Sequence, residues 1–410
     1  MFREEIIMNK TPRGSRPHVT IFGETNSGKS SLFNALINAN HSIVSPIAGT
    51  TTDLVGRSIE LLPFGPIYLT DTAGLNDDSE LGKERMEKTR RAIDGADYAI
   101  YTIDIGSNDR NTFKQTIAMF EQRNTPYIIV FTKKDIYNEE EIKKYIDKNK
   151  ITNTTLMTSQ IDFSSIDNLR TFVAGELTRL KPNSGTLMTD GILEKGATAV
   201  SIITVDSETP IGRLILPQVQ FIRECVDKDI VCVVTTPNSA KTMIEKLQQL
   251  DLVVVDSQIF SEVAEMLPKE TPLVSFSILV ARAKGDLTYF VKGIDAIGNL
   301  KDGANILISE ACAHNTNHED IGKVKIPAML NNLTRKQLNY HFMGARDFPQ
   351  SLKNYDLVIH CGGCMLTRKE MISRINLAKD EGIPITNYGV LLAYGNGILE
   401  RCLKSVRIYG

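Results

Sequence analysis

The stretch GETNSGKS, from Gly23 to Ser30, decides the fold of the first part of this chain. It matches the phosphate-binding loop pattern G-x-x-x-x-G-K-S/T, follows the apolar run HVTIF and opens the helical stretch KSSLFNALI. Such a loop curls backbone N–H groups around phosphate oxygens, and the following helix adds its positive N-terminal end. The stretch therefore predicts a strand, an anion-binding loop and a helix in succession.

Three further motifs follow in the order expected of a nucleotide site. DTAG begins at Asp71 after the strand-like run IYLT, TKKD ends at Asp135 after YIIVF, and GTTT begins at Gly49. The Asp71 carboxylate suits the outer shell of a magnesium ion. The Asp135 carboxylate can accept hydrogen bonds from N1 and N2 of guanine, a donor pair that adenine lacks. Together the motifs predict binding of GTP and GDP with Mg²⁺.

Each predicted site residue has a chemical reason. Lys29 is placed to contact the β- and γ-phosphates, Ser30 and Thr51 to bind magnesium, and Gly74 to bring a backbone N–H near the γ-phosphate. We predict Lys29, Thr51 and Gly74 as the catalytic residues. The residues predicted to bind the nucleotide are Glu24, Thr25, Asn26, Ser27, Gly28, Lys29, Ser30, Ser31, Asp71, Lys133, Asp135 and Ser159.

Residues 18–175 resemble the GTPases of the Era/MnmE type, on the motifs above. The resemblance implies that Thr51 binds magnesium and that Asn26 helps to hold a potassium ion against the phosphates. Such GTPases usually have Asn where this chain has Thr132, and Ser-Ala where it has Thr158-Ser159-Gln160. Leu75 stands where Ras-like enzymes place a water-orienting Gln. We therefore expect slow hydrolysis of GTP that potassium stimulates.

The bulk composition is that of a multidomain globular protein without a basic surface. The chain has 410 residues, of which 42% are hydrophobic and 23% charged, with a net charge of −2. Such a balance argues against nucleic acid as a partner. The N-terminal residues MFREEIIMNK include adjacent acids and no apolar signal region, and no apolar run approaches the roughly 18 residues of a membrane span. We expect a cytoplasmic protein with reduced thiols and no membrane contact.

Apolar runs alternate with amphipathic stretches along the whole chain, which predicts an α/β fold. We expect three domains: a P-loop GTPase followed by two smaller α/β domains. The predicted boundaries are a flexible arm at 1–17, the GTPase at 18–180, a dimerisation domain at 181–268 and a cluster-binding domain at 269–410. The last two blocks share a strand–helix rhythm, but their residues show no clear repeat.

A cysteine and histidine constellation lies in the last block. Cys312 and His314 follow the predicted strand NILIS, and HCGGC, from His360 to Cys364, ends the predicted strand YDLVIH. Because the carboxyl ends of parallel strands share one sheet edge, these groups are expected to converge. Three thiols and two imidazoles suit an iron–sulfur cluster or zinc. A redox CxxC or a buried pair of structural cysteines are the other readings.

The pattern C-x-H…H-C-x-x-C downstream of a GTPase resembles the [FeFe]-hydrogenase maturation GTPases, the HydF family. The resemblance covers essentially the whole chain. It implies a [4Fe–4S] cluster on Cys312, Cys361 and Cys364, and leaves the fourth ligand open between His314, His360, another group or water. The remaining cysteines, Cys225, Cys232 and Cys402, are expected to pack as small hydrophobic residues.

The same resemblance implies a function and partners. The protein would be a homodimeric scaffold or carrier that receives a di-iron subcluster precursor, made with two radical-SAM maturases, and delivers it to the [FeFe]-hydrogenase apoprotein. Two alternatives stay open: a ribosome-assembly or tRNA-modification GTPase, and a zinc-stabilised interaction protein that GTP regulates.

Overall fold

The computed structural model describes residues 16–38, 55–72, 82–106, 111–159, 161–180, 187–205, 214–311, 321–344 and 347–407. The chain divides into two compact units, Met1–Ser184 and Gly185–Gly410. No helix among the described residues is both long enough and apolar enough to cross a membrane.

The first unit is a six-stranded sheet with helices on its faces. The strand order is β2-β3-β1-β4-β5-β6, and β2 pairs with β3 antiparallel while the other pairs are parallel. Its elements are β1 (His18–Gly23), α1 (Lys29–Asn38), β2 (Val55–Leu61), β3 (Gly65–Asp71), α2 (Gly82–Gly95), β4 (Tyr98–Ile103), α3 (Asn111–Gln122), β5 (Tyr127–Phe131), α4 (Glu139–Asn149), β6 (Thr155–Met157) and α5 (Phe163–Leu180).

Burial explains why these runs are strands. Every residue of β4 is buried, as are the first five of β1. Continuous apolar strands of this kind belong to the centre of a parallel sheet that helices cover on both faces. The carboxyl ends of β1, β3, β4 and β5 consequently lie at one edge of the sheet.

The second unit contains two four-stranded parallel sheets. Its first half comprises β7 (Thr198–Ile202), α6 (Leu216–Asp227), β8 (Val231–Thr235), α7 (Pro237–Lys246), β9 (Leu252–Val255), α8 (Phe260–Met266), β10 (Leu273–Ser275), α9 (Phe276–Lys284) and α10 (Leu287–Gly293). Its second half comprises β11 (Asn305–Ser309), α11 (Ile326–Thr334), β12 (Asn339–Met343), β13 (Leu357–His360), α12 (Arg368–Glu381), β14 (Ile385–Asn387), α13 (Tyr388–Gly395) and α14 (Leu399–Ser405).

The two halves have the same topology. The sheet orders are β10-β9-β7-β8 and β12-β11-β13-β14, so each half places its strands in the order second, first, third, fourth. The side chain of Asp251 accepts a hydrogen bond from the N–H of Thr198 at 2.7 Å, and Asp356 accepts one from Asn305 at 2.8 Å. The second unit is therefore an internal structural repeat, although few residues reveal it.

The helix after the last strand shows the repeat most clearly in the residues. FSILVARAKG at 276–285 and YGVLLAYGNG at 388–397 both begin at the end of a fourth strand. The strand's last residue caps each helix, because the side chains of Ser275 and Asn387 accept backbone N–H bonds from the first turn.

The halves also exchange their last helices. α10 of the first half packs against β14 of the second, and α14 of the second packs against β10 of the first. The hydroxyl of Ser405 in α14 accepts the N–H of Leu273 at 2.9 Å. One continuous hydrophobic core runs through both halves. The second and third predicted domains thus form one compact unit in the structure.

Candidate nucleotide and metal sites

The phosphate-binding loop connects β1 to α1 as the sequence predicts. Gly28 has φ +88°, and a Cβ there would lie 3.1 Å from the methyl group of Thr132. Glycine is needed at this position because an L side chain rarely adopts that backbone conformation and would also press on Thr132. Asn26, the residue predicted to face potassium, is exposed and also left-handed, with φ +63°.

The Lys29 ammonium group lies across the loop. Its Nζ donates to the carbonyl oxygens of Gly23 at 3.0 Å and Glu24 at 2.6 Å, and only 5% of the residue is exposed. The side chain is therefore held over the concave face of the loop, where phosphate oxygens would bind. Ser30 begins α1 and is exposed.

Hydroxyl groups tie the loop to two neighbouring strands. The Oγ atom of Ser27 lies 2.7 Å from Oγ1 of Thr102, at the end of β4. Oγ1 of Thr132, just beyond β5, donates to the carbonyl of Ser27 at 2.9 Å. Thr132 thus links the guanine-specificity motif to the phosphate loop, although related GTPases usually have Asn at this position.

The guanine-specificity residues are held by short polar contacts. Oγ of Ser159 donates to Oδ1 of Asp135 at 2.7 Å, so the carboxylate is oriented from the loop after β6. Lys133 forms an ion pair with Asp104, the residue after β4. Burial acts to raise the pKa of Asp104, but hydrogen bonds from Lys133 and from the N–H of Gly106 outweigh it and lower that pKa.

Residues of the phosphate loop and of the guanine-specificity motif line one cavity of about 810 Å³. It extends from the phosphate loop to the guanine-specificity motif, and its lining includes Asn26, Lys29, Ser30, Ser31, Lys133, Asp135 and Ser159. The volume of this cavity lies within the range of roughly 300 to 1,000 Å³ that is usual for small-molecule binding sites in proteins. Asp71 ends β3 and is 5% exposed. Thr51 and Gly74, both predicted to be catalytic, lie outside the described residues, as does Leu75.

The second candidate site lies at the carboxyl edge of the last sheet. Cys361 directly follows β13, and its N–H donates to the carbonyl of Ser309 at 2.8 Å. Its Sγ accepts N–H bonds from Ala311 at 3.0 Å and from Gly363 at 3.4 Å. The sulfur is therefore fixed between the ends of β11 and β13, where the strand order reverses.

Both ring nitrogens of His360 are engaged. Nδ1 lies 2.7 Å from the carbonyl of Cys361, and Nε2 lies 2.7 Å from the guanidinium of Arg374. Because a carbonyl only accepts and a guanidinium only donates, His360 is the neutral tautomer with its proton on Nδ1. The residue is fully buried. In this arrangement His360 supports the cysteine loop through hydrogen bonds.

The Cys364 loop is short and tightly bent. Gly363 has φ +65°, and a Cβ there would lie 2.3 Å from the end of Met371. Nζ of Lys284 donates to the carbonyl of Cys364 at 2.7 Å, and burial lowers the pKa of Lys284 to about 8. A capping box at Thr367 then starts α12.

Cys361 and Cys364 lie three residues apart in the loop between β13 and α12. Cys312 and His314 lie outside the described residues, but Ala311, which contacts the Cys361 sulfur, directly precedes Cys312. Among the described residues no group of three His, Cys, Asp or Glu side chains is arranged to hold a metal. Cys225 and Cys402 are buried and Cys232 is half-buried.

Sequence patterns missed several supporting residues. Thr102, Asp104, Lys284 and Arg374 belong to no short motif and reach their sites from distant parts of the chain. The only available signal was that Thr102 lies near the end of a buried strand and Asp104 follows it, at the sheet edge where ligands gather.

Family models match three consecutive parts of the chain. A 50S ribosome-binding GTPase model matches residues 18–133, a hydrogen maturase F dimerization domain matches 188–285 and a hydrogen maturase F tetramerization domain matches 288–405. The last two together cover more than half of the chain. The chain belongs to the hydrogen maturase F family. In this chain the GTPase match precedes the two maturase F matches, in the order that the HydF resemblance implied.

Two curated relatives match about a third of the chain. GTPase Der of Kosmotoga olearia is 36% identical over 127 residues, which are 30% of this chain and 28% of that protein. The tRNA modification GTPase MnmE of Mesoplasma florum is 37% identical over 150 residues, 36% of this chain and 32% of that protein. The chain thus spans about a third of the length of these relatives.

Solved structures overlap the chain weakly. Era of Aquifex aeolicus bound to GDP and AlF4⁻ is 19% identical, covers 61% of this chain and 97% of its own, and has a TM-score of 0.31. The G domain of the T. maritima FeoB iron transporter is 21% identical over 39% of this chain and 99% of its own, with a TM-score of 0.29. Overlap at this level carries no argument about function.

Proposed function

We propose that this maturase F chain is a GTP-hydrolysing iron–sulfur scaffold that delivers a di-iron subcluster precursor to the [FeFe]-hydrogenase apoprotein. One observation carries the proposal: the same chain joins a phosphate loop, with its guanine-specificity residues on one cavity, to a cysteine-bearing sheet edge in a hydrogen maturase F unit. The precursor would come from two radical-SAM maturases. These partners are implied by the family.

The residues of the cysteine loop fit an iron–sulfur cluster. The Cys361 sulfur accepts two backbone N–H bonds, the kind of contact that stabilises ligating thiolates and tunes cluster potential. Cys364 lies in the same loop, and Cys312 follows the residue that contacts Cys361. Three thiolates would hold the cluster and leave one iron open to a replaceable ligand. When bound, a [4Fe–4S] cluster with such an iron supplies a docking point for the precursor.

The hydrogen bonds of His360 bear on the fourth ligand. Ligation through Nε2 would require it to leave Arg374, and ligation through Nδ1 would break the bond to the Cys361 carbonyl. We therefore propose that His360 orients the cysteine loop, as metal-site histidines often do through a second hydrogen bond. His314, another group or water remains for the open iron.

Anaerobic reconstitution with iron and sulfide tests the cluster. The account expects a brown protein with about four irons per chain that Cys361→Ser loses. Cys402→Ser is the matched control, because Cys402 is buried in α14 and donates to the Ile398 carbonyl. Stoichiometric zinc without a cluster would instead support the zinc-stabilised alternative. Salt-sensitive RNA binding would support the RNA-directed alternative, which the relatives of the GTPase domain keep open.

The GTPase domain is proposed to hydrolyse slowly and to respond to potassium. Asn26 is exposed at the mouth of the loop in a left-handed conformation, where it can face a monovalent cation beside the phosphates. Such a cation would stabilise negative charge that spreads in the transition state. Hydrolysis rates in KCl and NaCl at equal ionic strength test this directly. Equal rates would contradict it, and Asn26→Ala should remove any difference.

Self-association is proposed through the first half of the second unit, the part that matches the dimerization model. β8 is an edge strand of its sheet, and Val231 and Val234 on it are 52% and 47% exposed. An apolar edge strand of this kind favours pairing with a second copy. Sedimentation equilibrium of the wild type and of Val234→Lys would measure the contribution of this edge.

A further inference from the structure

Lys284 links the two halves of the second unit at the cysteine loop. It is the last residue of α9 in the first half, yet its Nζ donates to the carbonyls of Cys364 at 2.7 Å and Leu366 at 2.9 Å in the second half. The side chain is half-buried. A lysine ammonium group is therefore fixed on the backbone of the turn that carries the second cysteine.

A cation of the second half also donates to the first half at the same place, where the end of α9 meets the start of α12. The guanidinium of Arg368, at the start of α12, donates to the carbonyls of Ala283 at 3.3 Å and Gly285 at 3.1 Å. Farther along α12, Lys379 pairs with Asp286 at 2.9 Å. The end of α9 and the cysteine loop with α12 thus interlock through three cations. Of these three cations, Lys284 is the one that donates to the carbonyl of Cys364.

The internal repeat provides a built-in comparison. The position equivalent to Lys284 is Asn396, whose amide donates to the Leu392 carbonyl of its own helix. The position equivalent to Cys361 is Asp256, which accepts the N–H of Thr204 at 3.0 Å just as Cys361 accepts that of Ala311. The two halves therefore keep an equivalent bond from a backbone N–H to a side chain, while the accepting group differs.

The difference follows the charge of the two edges. Asp256 also accepts two bonds from the side-chain amide of Gln218, so its carboxylate is satisfied within its own half. The cysteine edge is the one that receives the lysine. The edge that carries thiols thus receives a cation, Lys284, from the other half of the unit. The equivalent position to Lys284 is the neutral Asn396, and the carboxylate of Asp256 is hydrogen-bonded by Gln218 of its own half.

We propose that Lys284 is a positioning residue for the iron–sulfur cluster, fixing the Cys364 turn and placing a positive charge beside the cluster thiolates. The inference rests on the proposed function. A cluster bound by thiolates has net negative charge, and a fixed ammonium group offsets that charge in a half-buried site. The first half of the second unit is consequently part of the metal site as well as a self-association module.

Three substitutions of Lys284 separate charge from structure. Lys284→Met keeps the aliphatic stem and removes both hydrogen bonds and the charge. Lys284→Gln keeps one donor without the charge, and Lys284→Arg keeps the charge. Lys379→Met is the matched control, since it removes an ion pair of the same helix junction away from the cysteine loop. Circular dichroism and thermal melting of the full-length apo-proteins establish that each variant folds.

The readouts are cluster retention and reduction potential after anaerobic reconstitution. Lys284→Met is expected to lose its cluster to a chelator about tenfold faster than the wild type, because charged hydrogen bonds are among the stronger ones. Its reduction potential should shift to a more negative value, since an added electron is no longer offset. Lys284→Arg should restore both properties at least in part, and Lys379→Met should leave them unchanged.

The outcomes distinguish the two proposals. Wild-type retention and potential in folded Lys284→Met would overturn the role of Lys284 and leave the cluster proposal standing. Equal defects in Lys284→Met and Lys379→Met would also overturn it, because they would show a general effect of the helix junction. If Lys284→Met does not fold, Lys284→Gln decides by the same criteria. A wild type that takes up no cluster would overturn the proposed function itself.

Discussion

The hydroxyl group of Thr132 should control nucleotide affinity. It donates to the carbonyl of Ser27 at 2.9 Å and also lies 3.3 Å from the carbonyl of Ile103. The methyl group of the same side chain faces Gly28, because a Cβ added to Gly28 would lie 3.1 Å from that methyl group. Thr132→Val keeps the methyl group and removes the donor, so it removes the bond between the guanine-specificity motif and the phosphate loop together with the longer bond to Ile103.

The expected effect can be worked from the burial of the partners. Thr132 is 6% exposed and Ser27 only 1%. Removing a donor from a buried carbonyl costs about 1 to 3 kcal/mol, depending on whether the carbonyl finds another partner. Because 1.4 kcal/mol corresponds to a factor of ten in an equilibrium constant, this range of free energy corresponds to a change of roughly 5- to 150-fold in the constant that is affected. If the bond mainly holds the phosphate loop in the conformation that binds phosphate, most of this free-energy cost should appear as a larger dissociation constant for GDP.

Titration with a fluorescent GDP analogue measures the affinity, and urea unfolding of the same protein measures stability. Thr116→Val is the matched control: Thr116 is equally buried, but its hydroxyl donates to the Thr112 carbonyl within α3. The control should bind GDP within twofold of the wild type. Wild-type affinity in Thr132→Val, with only a loss of stability, would refute the assigned role of the hydroxyl.

Three further outcomes are expected. Ser159→Ala should reduce the preference for GDP over ADP by about tenfold in competition binding, because it removes the hydrogen bond that orients the Asp135 carboxylate. Gly363→Ala should destabilise the protein in urea unfolding by about 1 to 2 kcal/mol through its left-handed backbone, whereas Gly362→Ala, with open space around it, should be neutral. The lowered pKa of Asp104 stabilises the fold above the ordinary aspartate pKa near 4, and this contribution is lost as pH falls through the folded-state value. Asp104→Asn should therefore be less stable than the wild type at pH 7, and the two should converge in acid-unfolding curves.

Much of the fold was predictable because hydrophobic runs correspond to buried strands. The runs HVTIF, IYLT and YIIVF became β1, β3 and β5, and the prediction of an α/β fold that begins with a P-loop GTPase is confirmed. β2, β10 and β12 were missed. β2 reads VGRSIEL, in which polar residues interrupt the apolar ones. β10 has only three residues, and β12 reads NYHFM, a mixed edge strand with no apolar run.

The repeat was hidden for a physical reason. Its two halves share bonds from a backbone N–H to a side chain, and side chains of different chemistry can accept the same N–H. Asp251 and Asp356 occupy equivalent places, but Asp256 and Cys361 do too, and their side chains share no chemistry beyond accepting an N–H. Pattern reading by residue type therefore found a shared rhythm and no repeat.

The candidate sites were predictable where a motif is contiguous. The phosphate loop and HCGGC were found directly, since each performs its role within a few successive residues. Lys284 and Arg374 were not found, because their contacts depend on how distant helices pack. Thr51, Gly74, Cys312 and His314 stay predictions, since they lie outside the described residues.

Transfer of the precursor is the most direct test of the central claim. The protein, produced together with the two radical-SAM maturases and then purified, would be mixed with hydrogenase apoprotein that carries only its own [4Fe–4S] cluster. The account predicts that hydrogen evolution appears with the wild type and is lost with Cys364→Ser, while Cys402→Ser behaves as the wild type. Equal activation by Cys364→Ser and the wild type, or no activation by a wild type loaded with iron, would contradict the account.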